Sequence, residues 1–379
     1  MNDKKYYLKY KDEVCLEFIY DYYNKKIKIT NIINEYAFIP KNLREFSQED
    51  LKDFLLFHNF IPKTRSNYLK LHKNVTDKFE FYDKLLGLNL NNCLWICSEE
   101  SNLKWSDINY FDHFRNELFP KILNDDATIF NPLNYWSPDW FTNGEALKSW
   151  YQENNQIYLL KSPIMFFNKP LYNNFSEYFA SQIGELLLSN AVKYDFFNFE
   201  NQLLTKSHNF CSSTINYFSF SQLIFSHENI EKHLIELYGE NNYEDLMVFD
   251  ALIFNADRNL GNFGLLYNAE SKKFVGPAPI FDFNKSLAYD FPIYQNKIGK
   301  QQLENYSKRL TSFYESFDLQ LEKFAKPRHK VWVEKLEKFK FKNTSYVKDK
   351  KYIKFIKAII KNQTKKLKKI LEGSNSKDI

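Results

Sequence analysis

Glycine is nearly missing from this chain, and that scarcity limits where the backbone can turn sharply. Nine glycines serve 379 residues, about 2% against a usual ~7%. Lys, Asn, Ile, Phe and Tyr are abundant instead, a pattern of genome-wide base bias. A glycine that persists in this background is kept for its backbone freedom. Three of the nine, Gly261, Gly264 and Gly276, fall within sixteen residues. That segment is where chemistry is expected.

The rest of the composition excludes whole classes. With 44% hydrophobic, 18% aromatic and 26% charged residues, the chain is neither disordered nor collagen-like. No apolar run approaches the ~18–20 residues that cross a bilayer. Met1 to Tyr10 alternates charged and aromatic types and holds no signal-peptide core. Four cysteines in so long a chain do not make a disulfide framework. A reducing cytoplasm is the expected location, with secretion lacking a cleaved signal as the other compatible route.

Charge is uneven. The formal total is +5, yet Lys338 to Lys369 holds thirteen lysines and one acid, Asp349, a local +12 that leaves −7 elsewhere. Ile353, Ile356, Ile360, Leu367 and Leu371 sit at helical spacing within it. We read a docked helix with lysines on its solvent face. The other reading is a contact with nucleic acid or an anionic membrane. Gly373 to Ile379 reads as a frayed tail.

Residues 4–40 alternate aromatic and polar types and suggest a strand-rich start. Ser47 and Asp50 open an amphipathic helix, Gln48 to Phe57, ended by Ile61-Pro62. The stretch 118–138, with Pro120, Pro132 and Pro138, reads as a linker. Short strands and one helix follow to about Phe210, and helices dominate from Asn229. Three segments are expected: an α+β accessory module at 1–125, a small strand-rich lobe at 126–212, and a helical lobe at 213–379.

The glycine cluster lies in the informative stretch. An apolar helix, Met247 to Phe254, leads into Asn255-Ala256-Asp257-Arg258-Asn259-Leu260-Gly261-Asn262-Phe263-Gly264. Strand-like Leu265 to Tyr267 follows, then Pro279-Ile280-Phe281-Asp282-Phe283-Asn284. Phosphoryl transfer needs such a set. One carboxylate orients an acceptor hydroxyl and takes its proton, while an amide oxygen and a second carboxylate hold Mg²⁺. Asp257 fits the base, and Asn262 and Asp282 fit the metal ligands. Asp and Asn are also ordinary turn and cap residues. The second Asp, the apolar flanks and the clustered glycines favour the chemical reading.

A kinase also needs a phosphate-gripping lysine on an upstream strand, preceded by a flexible loop. Trp140 to Trp150 contains Thr142, Asn143, Gly144 and Lys148, and Gln156 to Leu160 is an apolar strand ending in Lys161. Backbone N–H groups of the loop can cradle phosphate oxygens. Lys161 would meet the α/β-phosphates, and Glu177 on the next helix would hold it. Leu203 to Phe210, with Ser207 and His208, is similar to the strand entering a hinge where backbone groups bind adenine.

These residues resemble the HipA-like Ser/Thr kinases, including their CtkA-type members. The resemblance rests on Asn-x-Asp-Arg-x-x-x-Asn (255–262), Asn-Phe-Gly (262–264) and Ala-Pro-Ile-Phe-Asp (278–282). Ser-Pro-Asp, Thr-Asn-Gly and Lys-Ser-Trp (137–150), Leu-Leu-Lys (159–161) and Ser-Glu-Tyr (176–178) add to it. So do Ile61 to Arg65 and Trp95 to Phe111 upstream. It implies a bilobal α+β protein-kinase-like fold, ATP and Mg²⁺ as cofactors, and transfer to Ser or Thr of a protein. Several relatives are toxins paired with a DNA-binding antitoxin, so such a partner is implied too. The family often carries His where this chain has Asn259; with both Asp and the Asn intact, a structural substitution is expected. Inhibitory autophosphorylation of the loop in some relatives points to Thr142 and Ser149.

Other chemistries find no motif. Cys93 and Cys97 are four apart with no second pair, so buried apolar cysteines are expected rather than zinc ligands. The seven histidines form no H-x-x-x-H, and no G-x-S-x-G or P-loop occurs. The dense tryptophans suit an aromatic core better than a base-stacking platform. The competing functional reading is a catalytically weak kinase-fold protein that acts by binding a partner or nucleic acid. It draws on Asn259, the sparse loop glycines and the lysine-rich segment.

Overall fold

A computed structural model describes residues 3–39, 47, 63, 65, 77–124, 136–224, 229–294 and 299–374. The expected helix 48–57 lies outside them. The fold is α+β, and the chain divides into two units, each assembled from three stretches rather than from consecutive segments. The first unit comprises 1–161, 208–228 and 264–276; the second comprises 162–207, 229–263 and 277–379.

The first unit starts with strands β1 (Lys4–Tyr10), β2 (Glu13–Asp21) and β3 (Lys26–Ile32). Alternation makes them strands: Tyr6, Leu8 and Tyr10 point inward from β1, and Leu16, Phe18 and Tyr20 from β2. With β4 (Leu94–Ser98) they form an antiparallel sheet in the order β3-β2-β1-β4. Helix α1 (Lys78–Lys84), capped by the Asp77 carboxylate on the Phe79 N–H, lays Phe79 across this sheet. The Phe79 ring stacks on Tyr20 at 3.9 Å and meets Tyr6 edge-on at 5.1 Å.

The same core takes in Trp140, Phe141, Trp150, Phe218 and Tyr267. These come from the turn Pro138–Phe141, from β5 (Lys148–Glu153) and from the sheet of β7 (Ile215–Ser219), β8 (Gly264–Asn268) and β9 (Lys273–Pro277). β5 also pairs with β6 (Gln156–Lys161). Gly264 pairs with Ser219 in the β7–β8 ladder. An added Cβ there would meet the Phe218 carbonyl oxygen at 2.1 Å and the Ser219 Cα at 2.7 Å. Neither backbone atom can swing aside. Gly264→Ala should cost about 3 kcal/mol, read as a lower denaturant midpoint at an unchanged slope.

The expected linker 118–138 is only partly one. Phe119–Leu123 is a short helix, with Pro120 in its first turn where a missing N–H costs nothing. Leu118 and Ile122 are buried in the core. Cys93 and Cys97 are buried and unbridged, as expected, and burial pushes the Cys93 thiol up to about 12. Trp95, Trp105, Trp140 and Trp150 are core residues, whereas Trp136 is exposed.

The second unit is mainly helical, built around α2 (Asn173–Leu187) and α3 (Glu240–Ile253). Every residue of α3 from Leu246 to Ile253 is buried. Helix α4 (Lys350–Ser374) buries Ile353, Ile356, Ile360, Leu367 and Leu371 and exposes Lys350, Lys354, Lys357, Lys361, Lys365 and Lys368. The lysines therefore coat the solvent side of a packed helix. Gly373 and Ser374 continue that helix instead of starting the tail. Among the described residues no helix is long and apolar enough to cross a membrane.

Candidate active site

In the second unit, α3 ends because Phe254 turns left-handed (φ +56°), its N–H capping the Asp250 carbonyl. The chain then enters Asn255 to Asn262, a loop organised by one buried cation. Arg258 donates from Nε to Asp250 Oδ2 at 2.8 Å and from Nη2 to Oδ1 at 3.1 Å. Its Nη1 donates to two carbonyls, Asn262 and Phe281, at 2.7 Å each. One guanidinium thus ties the end of the loop to the residue preceding Asp282. Burial would lower its pKa, but the Asp250 carboxylate outweighs this and holds it above the ordinary value. Asn255 Nδ2 adds a third donor to Asp250, at 3.0 Å.

These ties hold the loop that carries Asp257 and Asn262 to the residue preceding Asp282. Asn262 Nδ2 donates to the Asp257 carbonyl at 2.7 Å, which fixes the amide and identifies Oδ1 as its acceptor atom. Asn259 Nδ2 lies 3.3 Å from Asp257 Oδ1, and its own Oδ1 accepts the Gly261 N–H at 2.9 Å. Lys285 Nζ is 3.4 Å from Asp257 Oδ2. Asp282 itself sits at φ +60°, a conformation that L residues avoid and that persists where surrounding contacts enforce it. Those contacts are the Tyr194 hydroxyl on its N–H at 3.1 Å and the Ala191–Ile280 bridge just upstream.

Helix α2 joins the same network. Ser176 Oγ donates to the carbonyls of Phe283 and Ser286, at 2.9 and 2.7 Å as alternatives for its one proton, and accepts the Ser286 N–H at 3.1 Å. Its neighbour Glu177 is fully buried and accepts the Thr205 hydroxyl at 2.9 Å. Glu177, expected in the small lobe, thus lies in the second unit together with Asp257, Asn262 and Asp282.

The donor set suits a hard divalent cation. Asp282 offers a carboxylate and Asn262 an amide oxygen, and the buried Asn284 Oδ1 in the same turn has no hydrogen-bond partner. Among the described residues no group of three His, Cys, Asp or Glu side chains could hold a metal by itself. Mg²⁺ is the kind of ion such oxygens could hold, since it keeps several waters and takes further oxygens from substrate phosphates.

In the first unit, the expected phosphate loop joins the turn Pro138–Phe141 to β5. Lys148 and Lys161 are direct cross-strand partners, and both are buried. Gly144 (φ +100°) lies under the Lys148 ammonium, which a Cβ would approach to 2.5 Å. Arg65, absent from the sequence reading of the site, anchors the loop from outside it. Its guanidinium donates to the carbonyls of Thr142 and Gly144 at 2.8 and 2.9 Å and to Thr142 Oγ1 at 3.0 Å. Asn143 is exposed, while Thr142 and Ser149 are buried and not presented for modification in this conformation.

Asp139 completes the anchor. Its carboxylate accepts the Trp150 N–H at 2.7 Å and the Ser137 hydroxyl at 2.8 Å. Burial pushes its pKa up to about 6, against the pull of those donors and of Arg65. A raised carboxyl pKa contributes stability below its unfolded value, near ~4, and loses it as pH rises through the folded value. Asp139→Asn should remove that loss, about 2–3 kcal/mol between pH 4 and 7. Denaturation across this range should show a flatter pH dependence in the variant.

The chain passes from the second unit to the first between Ser207 and His208. Ser207 is buried, whereas the exposed His208 ring pairs with Gln156 Oε1 at 2.5 Å.

The sequence model of the HipA-like kinase family matches residues 151–329. No curated protein matches the chain. Among solved structures, a HipA from Shewanella oneidensis MR-1, captured with HipB and operator DNA, aligns at TM-score 0.56 and 11% identity, over 97% of this chain and 99% of that one. The Helicobacter pylori proinflammatory kinase CtkA aligns at TM-score 0.48 and 17% identity, over 63% of this chain and 94% of that one. Residues 151–329 thus match the HipA-like kinase family, within an α+β fold similar to that of the Shewanella HipA.

Proposed function

We propose that this protein transfers the γ-phosphoryl group of ATP, with Mg²⁺, to Ser or Thr of a protein substrate. The observation that carries the reading is the Arg258 guanidinium, which holds Asn262 and the approach to Asp282 on one centre beside Asp257. Asp257 orients the acceptor hydroxyl and takes its proton. Asn262 and Asp282 hold the metal ion, whose charge offsets that of the phosphate oxygens. In the first unit, Gly144 and its neighbours Thr142 and Asn143 cradle phosphate, with Lys148 and Lys161 supplying positive charge. The backbone at Ser207–His208 takes the adenine. The HipA of Shewanella oneidensis was solved with HipB and operator DNA, which supports a DNA-binding antitoxin as partner here. The test is label transfer from γ-labelled ATP·Mg²⁺ to lysate proteins by wild type, Asp257→Ala and Asp282→Ala. Equal transfer by all three would refute the proposal.

A further inference from the structure

Two basic residues lie in the loop 255–262 and the turn 281–287. Arg258 is spent structurally: its charge is matched by Asp250 and its remaining donor serves two carbonyls. Lys285 differs. Its Nζ approaches Asp257 Oδ2 at 3.4 Å, with side-chain exposures of 26% and 31% for the pair. That distance exceeds an ordinary hydrogen bond, so the attraction is one of charge without a fixed donor geometry. The backbone holds the residue in place, since its carbonyl accepts the Ala256 N–H at 3.3 Å and the Leu287 N–H reaches the Ile253 carbonyl at 2.7 Å.

A half-exposed ion pair contributes little to folding, about 0–1 kcal/mol. The little stability that the pair with Asp257 supplies does not account for a lysine beside the proposed base; its charge does. In the proposed step the acceptor oxygen bonds to the γ-phosphorus and its proton passes to Asp257. The bond to the β–γ bridging oxygen breaks, and ADP leaves with that electron pair. Negative charge accumulates on the transferring group beside Asp257, where a preorganised cation is most effective.

We infer that Lys285 is a catalytic cation of this centre, meeting the γ-phosphoryl group in addition to Asp257. The inference rests on the kinase reading above. It is tested by calorimetric binding of AMP-PNP·Mg²⁺ and ADP·Mg²⁺, and by kcat and KM, in wild type, Lys285→Met and Lys285→Arg. In Lys285→Met the preference for triphosphate over diphosphate should fall about tenfold. Its kcat should fall about 10²-fold, with KM for the protein substrate nearly unchanged and the thermal midpoint within a degree or two. Lys285→Arg should recover most of both. Binding preference and kcat within twofold of wild type in the Met variant would overturn the inference, as would an Arg variant no better than Met. Failure of the kinase reading looks different: wild type then binds neither nucleotide, or transfers label no faster than Asp257→Ala.

Discussion

Replacing Asp257 by alanine should lower phosphoryl transfer by about 10²–10⁴-fold, the usual contribution of a positioned general base. Asp282→Ala should fall at least as far, because the metal charge that offsets the phosphate oxygens loses its carboxylate ligand. The two variants should differ in how they respond to metal. Raised Mg²⁺ restores part of the activity of Asp282→Ala, where affinity is lost, and none of that of Asp257→Ala, where the proton acceptor is lost. Both side chains are only half-buried, so thermal midpoints should stay within a few degrees of wild type. A collapse in stability would show that a folding role, and not chemistry, accounts for the loss. Initial rates over a Mg²⁺ series, with melting curves of each variant, make the comparison.

Arg258→Met should destabilise the chain by about 3–5 kcal/mol, because it leaves the Asp250 carboxylate buried without its cation. Arg258 and Asp250 are 3% and 1% exposed at their side chains, so water cannot take over the solvation. A double variant, Asp250→Leu with Arg258→Met, separates fold from function. Replacing both charges by apolar groups of similar volume is often neutral or stabilising, so most of the lost stability should return. Activity should not return with it, since the Nη1 ties to the Asn262 and Phe281 carbonyls stay broken. If the double variant regains both, the guanidinium is only a structural filler. Denaturant titrations and label transfer on the three proteins decide it.

The loop and turn that carry Asp257, Asn262 and Asp282 could be singled out from the chain, because phosphoryl transfer asks for those residue types in that order, and the structure ties that loop to that turn through Arg258. The strand-rich start was readable too, since period-two alternation is a direct imprint of a sheet with one buried face. Lys161 and Glu177 could be named from their places on a strand and the next helix. What could not be read was what holds these groups still. Arg258 stood inside the motif, yet its bond to Asp250 depends on how α3 ends, at a left-handed Phe254 that no apolar pattern announces. Arg65 lies 77 residues before the Thr142 carbonyl it grips. Lys285 is one lysine among many, and only the fold distinguishes it. The prolines at 118–138 misled because a proline in the first turn of a helix is compatible with burial.

The aromatic core of the first unit has a consequence for how this chain can be shortened. Trp140, Phe141, Trp150, Phe218 and Tyr267 have their apolar partners among residues 6–122. Cutting away the amino-terminal third would strip those rings of cover and wet a patch far larger than a soluble protein tolerates. Arg65, which steadies the phosphate loop, would be lost in the same cut. The amino-terminal region is therefore part of the core of the first unit, and deletions meant to yield a shorter protein should yield aggregates instead.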